Sequence, residues 1–150
     1  MNVLAFAAEG HEGLKGHVEP LIDGQPLSAL VKAFEIAKGY TDPAGGYAGI
    51  SCARRLPQPM PPVAEFVVDD PLFPRDGAKR PVFLGCQCGE WGCWPLLGRV
   101  FLDGETVTWD NFTNPFRQTR DYSEFGPFHF AIKEYFLALL NGMALSSRQG

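Results

Sequence analysis

Three cysteines lie within eight residues of one another, at Cys86, Cys88 and Cys93. These thiols are the side chains of this sequence that are clustered closely enough to suggest a metal site or a redox site. Cys86 and Cys88 are two residues apart in a segment with strand character, so their side chains leave the same face. If residues 89–92 form a hairpin loop, Cys88 and Cys93 face each other across it. The spacing therefore predicts that the three sulfur atoms meet at the end of a sheet.

Zinc is the cofactor that such a cluster can bind, and the sequence indicates no other. Tetrahedral zinc needs four ligands, so three thiolates require one more group. Cys52 is the first candidate for the fourth ligand. The other candidates are the three histidines of the chain, His11, His17 and His129.

Two further interpretations of the cysteines stay open, because the spacing C-x-C-x4-C lacks the second pair of common zinc templates. Cys88 and Cys93 can act as a thiol–disulfide couple, which would make the protein an oxidoreductase. Alternatively, the three residues are small, buried and inert, since unpaired cysteine is among the most buried residue types.

A second candidate site lies in the segment 109–117, which is both aromatic and polar. Here Trp109, Asp110 and Arg117 are predicted to line a ligand pocket at a strand end. Arg117 or Arg120 can receive an anionic group through two parallel hydrogen bonds. The alternative is a structural loop in which Arg117 pairs with Asp110 or Asp121, because turn residues of this kind are common in ordinary loops.

Two helices are predicted around these segments. The first spans 26–38, with Pro26 at its start, where a missing N–H costs nothing, and Gly39 at its end. The second spans 128–143 and carries a wide apolar stripe that is suited to packing on a sheet. The stripe consists of Phe128, Ile132, Tyr135, Phe136, Leu139, Leu140 and Met143.

Three consecutive strands are predicted at 82–88, 95–102 and 105–112. Asp103-Gly104 is a strong hairpin signal. A loop of these two residues would place Gly98 opposite Trp109. Further strands are expected at 2–8 and 17–22, with a short one at 64–68. The fold predicted is α+β, with both helices packed on one face of an antiparallel sheet.

The composition of the chain excludes several classes of partner. The chain has 150 residues, so we expect one domain, 1–150. Its formal charge is −4 and it has no run of lysine or arginine, so we expect neither nucleic acid nor a charged membrane surface as partner. No apolar run approaches the ~20 residues of a membrane span, and the N-terminus lacks the features of a signal peptide. We therefore expect a cytoplasmic, non-catalytic domain that binds a protein or a small molecule.

The sequence resembles a family of small bacterial proteins without an established function. The resemblance rests on the motif GCxCGxxGCWPL at 85–96, on VxWxxFxxP at 107–115 and on FGPFxF at 125–130. It covers most of the chain and implies a bacterial source without implying an activity. The chain departs from the family at Phe116, where histidine usually follows the proline.

Overall fold

The computed structural model describes residues 1–8, 17–51, 81–87 and 94–149. It confirms the predicted α+β class, with two helices and antiparallel sheets. The strands form two sheets, however, so the prediction that the N-terminal strands share one sheet with the central strands is wrong. The predicted strand at 64–68 lies outside the described residues.

The first sheet is built around strand β2, His17–Ile22. It pairs antiparallel with β1, Leu4–Ala8, with β3, Gln25–Pro26, and with β5, Ile50–Ser51. The turn from β2 to β3 is Asp23-Gly24, with φ values of 54° and 81°. Positive φ at both central residues matches the right-handed twist of a tight hairpin. The strands predicted at 2–8 and 17–22 are thus confirmed.

Helix α1, Leu27–Ala37, follows directly. Pro26 precedes its first turn, and Gly39 ends it with a φ of +81°, which glycine adopts without steric cost. The buried residues are Leu27, Val31 and Glu35, which follow one another at intervals of four. One position on this apolar face is therefore a carboxylate.

The second sheet has the order β4-β6-β7-β8-β9, and every described pair in it is antiparallel. Its strands are Tyr47–Ala48, Val82–Cys86, Leu96–Asp103, Thr106–Thr113 and Phe128–Ala131. The predicted strands at 82–88, 95–102 and 105–112 correspond to β6, β7 and β8. The first of them ends at Cys86, with Gln87 in a turn.

The predicted register of the β7–β8 hairpin is wrong. Asp103 pairs with Thr106, so the loop is residues 104–105, and Val100 lies opposite Trp109. The register shifts between residues 97 and 99, which removes Gly98 from the regular ladder. A Cβ atom at Gly98 would lie 2.5 Å from the ring of Phe83. Glycine is needed here because an aromatic ring occupies the side-chain position.

The predicted helix 128–143 is wrong at its start. Phe128–Ala131 forms edge strand β9, and helix α2 spans Ile132–Gln149. Phe128 and Phe130 both contact the aromatic core, as alternate residues of a strand can. The pairing of β9 with β8 outweighs the helical pattern that these residues continue.

Helix α2 packs chiefly against β1. Its buried residues include Tyr135, Ala138 and Leu139, whereas four of its large apolar side chains are exposed. These are Phe136, Leu137, Leu140 and Met143. The apolar stripe predicted for this helix is thus only partly buried: Phe136, Leu140 and Met143 of the stripe are exposed. Within the described residues, no helix has the length and apolar character to cross a membrane.

The two sheets meet at Asn2. Its backbone N–H donates to the carbonyl oxygen of His129 at 2.8 Å, and its side chain accepts from the His129 N–H at 2.9 Å. The Asn2 amide also donates to Asp23 at 2.8 Å. This hydrogen bond, with that from the Val3 N–H, lowers the pKa of Asp23. Asn2 thus connects the β2–β3 turn to the edge of the second sheet.

Candidate functional site

The most unusual group of the described core is the carboxylate of Glu35, which is 0% exposed. Arg120 donates to its Oε2 at 2.6 Å, and the Tyr122 hydroxyl donates to the same oxygen at 2.7 Å. The Gly45 N–H donates to Oε1 at 2.8 Å. A buried charge is tolerated only when it is paired and hydrogen-bonded, and Glu35 meets both conditions.

Two more side chains extend this network. The hydroxyl oxygens of Tyr47 and Tyr122 lie 3.3 Å apart, and the Asn114 amide donates to the Tyr47 oxygen at 2.9 Å. Burial raises the pKa of both tyrosines, and the neighbouring Glu35 carboxylate contributes in the same direction. The network thus holds neutral hydroxyls around one ion pair. We name it the Glu35 network; its members are Glu35, Tyr47, Asn114, Arg120 and Tyr122.

A cavity of about 490 Å³ borders this network. Its described walls come from β2, from the N-terminal half of α1, from the segment 43–48 and from the turn after β6. The polar side chains among the lining residues are those of Glu19, Ser28, Lys32, Tyr47 and Gln87. The cavity therefore lies where α1 meets both sheets.

The wall formed by the segment 43–48 is held in place by hydrogen bonds on both sides. Arg120 donates to the Pro43 carbonyl oxygen at 2.7 Å, and Gly45 donates to Glu35. On the other side, the Gln87 N–H donates to the Gly46 carbonyl oxygen at 2.8 Å. The Glu35 network thus holds this wall of the cavity in place.

The two charged residues of the cavity differ in their surroundings. Glu19 is buried, and its Oε1 accepts from the Ser28 N–H at 2.7 Å, which satisfies a donor in the first turn of α1. Lys32 is exposed, and its alkyl chain lies over Gly45, where a Cβ atom would be 3.1 Å away. Among the described residues Lys32 forms no ion pair. Of the two, Lys32 is therefore the charged side chain that has no polar partner among the described residues.

Trp94 lies on the other side of the network. Its ring is 5.9 Å from that of Tyr47, and the guanidinium carbons of Arg117 and Arg120 lie 4.3 and 5.5 Å from its centroid. Stacking of guanidinium groups on an indole is a favourable cation–π arrangement. Trp94 is thus packed between a cavity residue and two cations.

The predicted ligand-binding residues Trp109, Asp110 and Arg117 each contact a different partner in the structure. Trp109 is fully buried, and its indole N–H donates to the Tyr135 hydroxyl at 3.0 Å. Asp110 accepts two hydrogen bonds from Arg99, each of 2.9 Å, rather than from Arg117. Arg117 stacks on Trp94 instead.

Only the first residue of the predicted metal cluster can be located. Cys86 is half-buried at the end of β6, opposite Tyr47 in the ladder, next to the cavity. Cys88, Cys93 and Cys52 lie outside the described residues, so zinc binding and thiol–disulfide exchange stay predictions. The described residues contain no group of three or more His, Cys, Asp or Glu side chains that could hold a metal ion.

The histidines proposed as a fourth ligand have separate positions. His129 lies on β9 rather than on the last helix, and its Nδ1 is 3.0 Å from the Thr108 hydroxyl. His17 begins β2, and His11 lies outside the described residues.

Sequence reasoning did not identify the Glu35 network. One signal for it was present, because Glu35 follows Leu27 and Val31 at intervals of four and so is the charged residue on the apolar face of α1. Its side-chain partners, Arg120 and Tyr122, follow more than 80 positions later, and the sequence alone does not reveal a pairing across that distance.

Comparison of the chain with protein-family models, with curated proteins and with solved structures finds no match.

Proposed function

We propose that this protein is a binding domain that holds a small polar molecule in the cavity between α1, β2 and the segment 43–48. The observation that carries the proposal is the cavity of about 490 Å³. Small-molecule sites commonly have volumes of about 300–1,000 Å³. This cavity also has a small number of polar groups on its walls, which is how such sites orient a ligand.

The rigidity of the walls supports the same proposal. The segment 43–46 is held on both sides, because it accepts hydrogen bonds from Arg120 and the Gln87 N–H and donates one from Gly45 to Glu35. A site that is already ordered loses less conformational freedom when it binds a ligand. The buried Glu35 carboxylate is therefore a support for the site, and Tyr47 is the member of its network that also lines the cavity.

Charge indicates the class of ligand. Lys32 supplies a cation without an ion pair among the described residues, whereas Glu19 is already bonded to the first turn of α1. We therefore expect the ligand to carry a carboxylate or phosphate group that reaches Lys32. Backbone groups of the segment 43–48 can bind its remaining polar atoms.

The test uses two tryptophan substitutions on the same helix. Ala29 lines the cavity and Ala33 does not, although both are exposed residues of α1. The wild-type chain is titrated with amino acids, dicarboxylic acids and sugar phosphates at millimolar concentration, and the amide resonances of Gly46 and Gln87 are followed by NMR. We expect at least one compound to shift both resonances, and we expect Ala29→Trp to abolish the shift while Ala33→Trp keeps it.

Two results would overturn the proposal. One is that no compound of the panel shifts the cavity resonances. The other is that Ala29→Trp binds as tightly as Ala33→Trp, because the cavity would then not be the site. Lys32→Met tests the ligand class separately. If Ala29→Trp abolishes binding but Lys32→Met leaves the affinity unchanged, the cavity is the site and Lys32 does not select the anion.

A further inference from the structure

A second group of donors lies beside the Glu35 network. The indole Nε1 of Trp94 and the Nε of Arg117 are both buried, and neither has a hydrogen-bond partner among the described residues. Buried polar groups are nearly always hydrogen-bonded, so two such donors on stacked side chains require a physical explanation. The Arg117 guanidinium carbon lies 4.3 Å from the centroid of the Trp94 ring, which places both donors in one small region.

The charge of this region is positive. Arg117 and Arg120 both lie over the Trp94 ring. Among the described residues one carboxylate, that of Glu35, pairs with either of them, and it pairs with Arg120. Of the two aspartates that the sequence suggests for Arg117, Asp110 is bonded to Arg99, and Asp121 accepts from the Ser123 N–H. Arg117 therefore keeps an uncompensated charge next to a neutral donor.

The backbone at Arg117 is held by its neighbours. The Asn114 side chain accepts from the Phe116 N–H at 3.0 Å and donates to Tyr47, and the Arg117 N–H donates to the Asn114 carbonyl oxygen at 3.0 Å. This turn fixes the backbone from which the Arg117 side chain extends over Trp94. Arg117 as a whole is half-buried although its Nε is buried, so an anion that reaches the Nε–H from solvent must displace the groups that cover this atom.

We propose that Trp94 and Arg117 form a binding site for a small oxoacid anion, a carboxylate or a phosphate. Arg117 contributes the charge and its Nε–H, and Trp94 contributes its indole N–H. Hydrogen bonds from a charged donor to such an anion are about twice as strong as neutral ones. Neither Trp94 nor Arg117 is among the described lining residues of the cavity, so the site is distinct from it.

The chain contains internal controls for a test by NMR. The indole N–H of Trp109 is already bonded to Tyr135, and the Nε–H of Arg99 is already bonded to Asp110. We titrate the full chain with inorganic phosphate and, separately, with acetate. We expect the Trp94 indole signal and the Arg117 Nε–H signal to move along one binding curve while the two control signals stay in place.

Substitutions then test each donor. Trp94→Phe keeps an aromatic ring under the guanidinium group but removes the N–H, and we expect it to weaken anion binding roughly tenfold or more. Arg117→Lys keeps the charge without the Nε–H and should weaken it as well, whereas Arg117→Gln should abolish it. A tighter curve with acetate identifies a carboxylate site, and a tighter curve with phosphate identifies a phosphate site.

Three outcomes would overturn this proposal. The first is that neither signal moves with either anion. The second is that Arg99 shifts as much as Arg117, which would indicate general ionic screening. The third is that Arg117→Gln binds with unchanged affinity. The wild-type titration needs no variant, so the proposal can be refuted even if a substitution impairs folding. A Gly46 shift without a Trp94 shift would support the cavity and refute this site.

Discussion

Replacing Arg120 by methionine removes the charged partner of the most deeply buried carboxylate in the described chain. Glu35 is 0% exposed, and the Arg120 side chain is 7% exposed. Removing one partner of a buried ion pair costs about 3–5 kcal/mol, because the remaining charge is left uncompensated. Glu35 keeps two donors, Tyr122 and Gly45, which places the cost near the lower end of that range.

Arg120 has a second bond to lose. It donates to the Pro43 carbonyl oxygen at 2.7 Å, and a lost hydrogen bond of this kind costs about 1 kcal/mol. We therefore expect Arg120→Met to lower the free energy of unfolding by about 4 kcal/mol in all. In a domain of this size, each kcal/mol of lost stability lowers Tm by about 2–4 °C, so we expect Tm to fall by roughly 8–16 °C.

The matched control is Arg99→Met. Arg99 and Asp110 form the same kind of charged pair, but the Arg99 side chain is 54% exposed. A surface pair contributes about 0–1 kcal/mol, so this variant should lose less than ~1 kcal/mol. Urea unfolding followed by tryptophan fluorescence measures both variants, and the slope of the transition should stay unchanged.

A second substitution separates charge from packing. Adding Glu35→Gln to Arg120→Met replaces the stranded carboxylate with a neutral amide that can still accept from Tyr122. We expect the double variant to be more stable than Arg120→Met alone. If Arg120→Met costs no more than Arg99→Met, or if the double variant recovers nothing, an uncompensated buried charge is not the source of the effect.

Three further predictions concern other parts of the fold. Gly49→Ala should destabilise the protein by about 1–3 kcal/mol in urea unfolding, because a Cβ atom would lie 2.5 Å from a backbone oxygen of β2. Burial raises the pKa of Tyr47 and Tyr122, so the stability that they contribute is present below pH ~10, the pKa of unfolded tyrosine, and is lost as the pH rises further. Tyr122→Phe should lower stability at pH 8 but flatten this alkaline loss, as urea midpoints at increasing pH would show. Leu139→Ala should cost about 2–4 kcal/mol and Leu140→Ala less than ~0.5 kcal/mol, since the two residues are 6% and 61% exposed.

Each of these predictions has a result that contradicts it. Unchanged stability in Gly49→Ala would mean that β2 and the residue before β5 can separate without cost. An equally steep alkaline decline in Tyr122→Phe would assign the titration to other groups. Equal losses in Leu139→Ala and Leu140→Ala would contradict the orientation of α2.

The local elements of this fold could be predicted from the sequence, because each leaves a pattern in adjacent residues. Helix α1 is marked by Pro26, by apolar residues at helical spacing and by Gly39. The β7–β8 hairpin is marked by Asp103-Gly104. The loop nevertheless falls one residue later than predicted, because Gly104 occupies the first loop position, with a φ of +63°.

The start of α2 shows why some boundaries could not be predicted. Phe128 and Phe130 suit a strand, while Phe128 and Ile132 suit a helix, so the pattern allows both structures. Hydrogen bonds to β8 select the strand, and those bonds connect residues about 20 positions apart. Local preference does not contain that information.

The candidate site was predicted least well, because its parts are distant in sequence. Glu35 could be noticed on the apolar face of α1, but not its pairing with Arg120. Arg117 was recognised as a candidate for anion binding, but with Trp109 as its neighbour rather than Trp94. The predicted cysteine cluster contributes only Cys86 to the described chain, so its chemistry remains a prediction.

The hydrogen bonds of Asn2 have a consequence for how the protein should be handled in the laboratory. Removing Met1 and Asn2 would leave the backbone carbonyl of His129 without the Asn2 donor and would take from Asp23 one of its two donors. It would also detach β1 from the last strand of the other sheet, although every strand of that sheet would be intact. Variants of the protein should therefore keep Asn2.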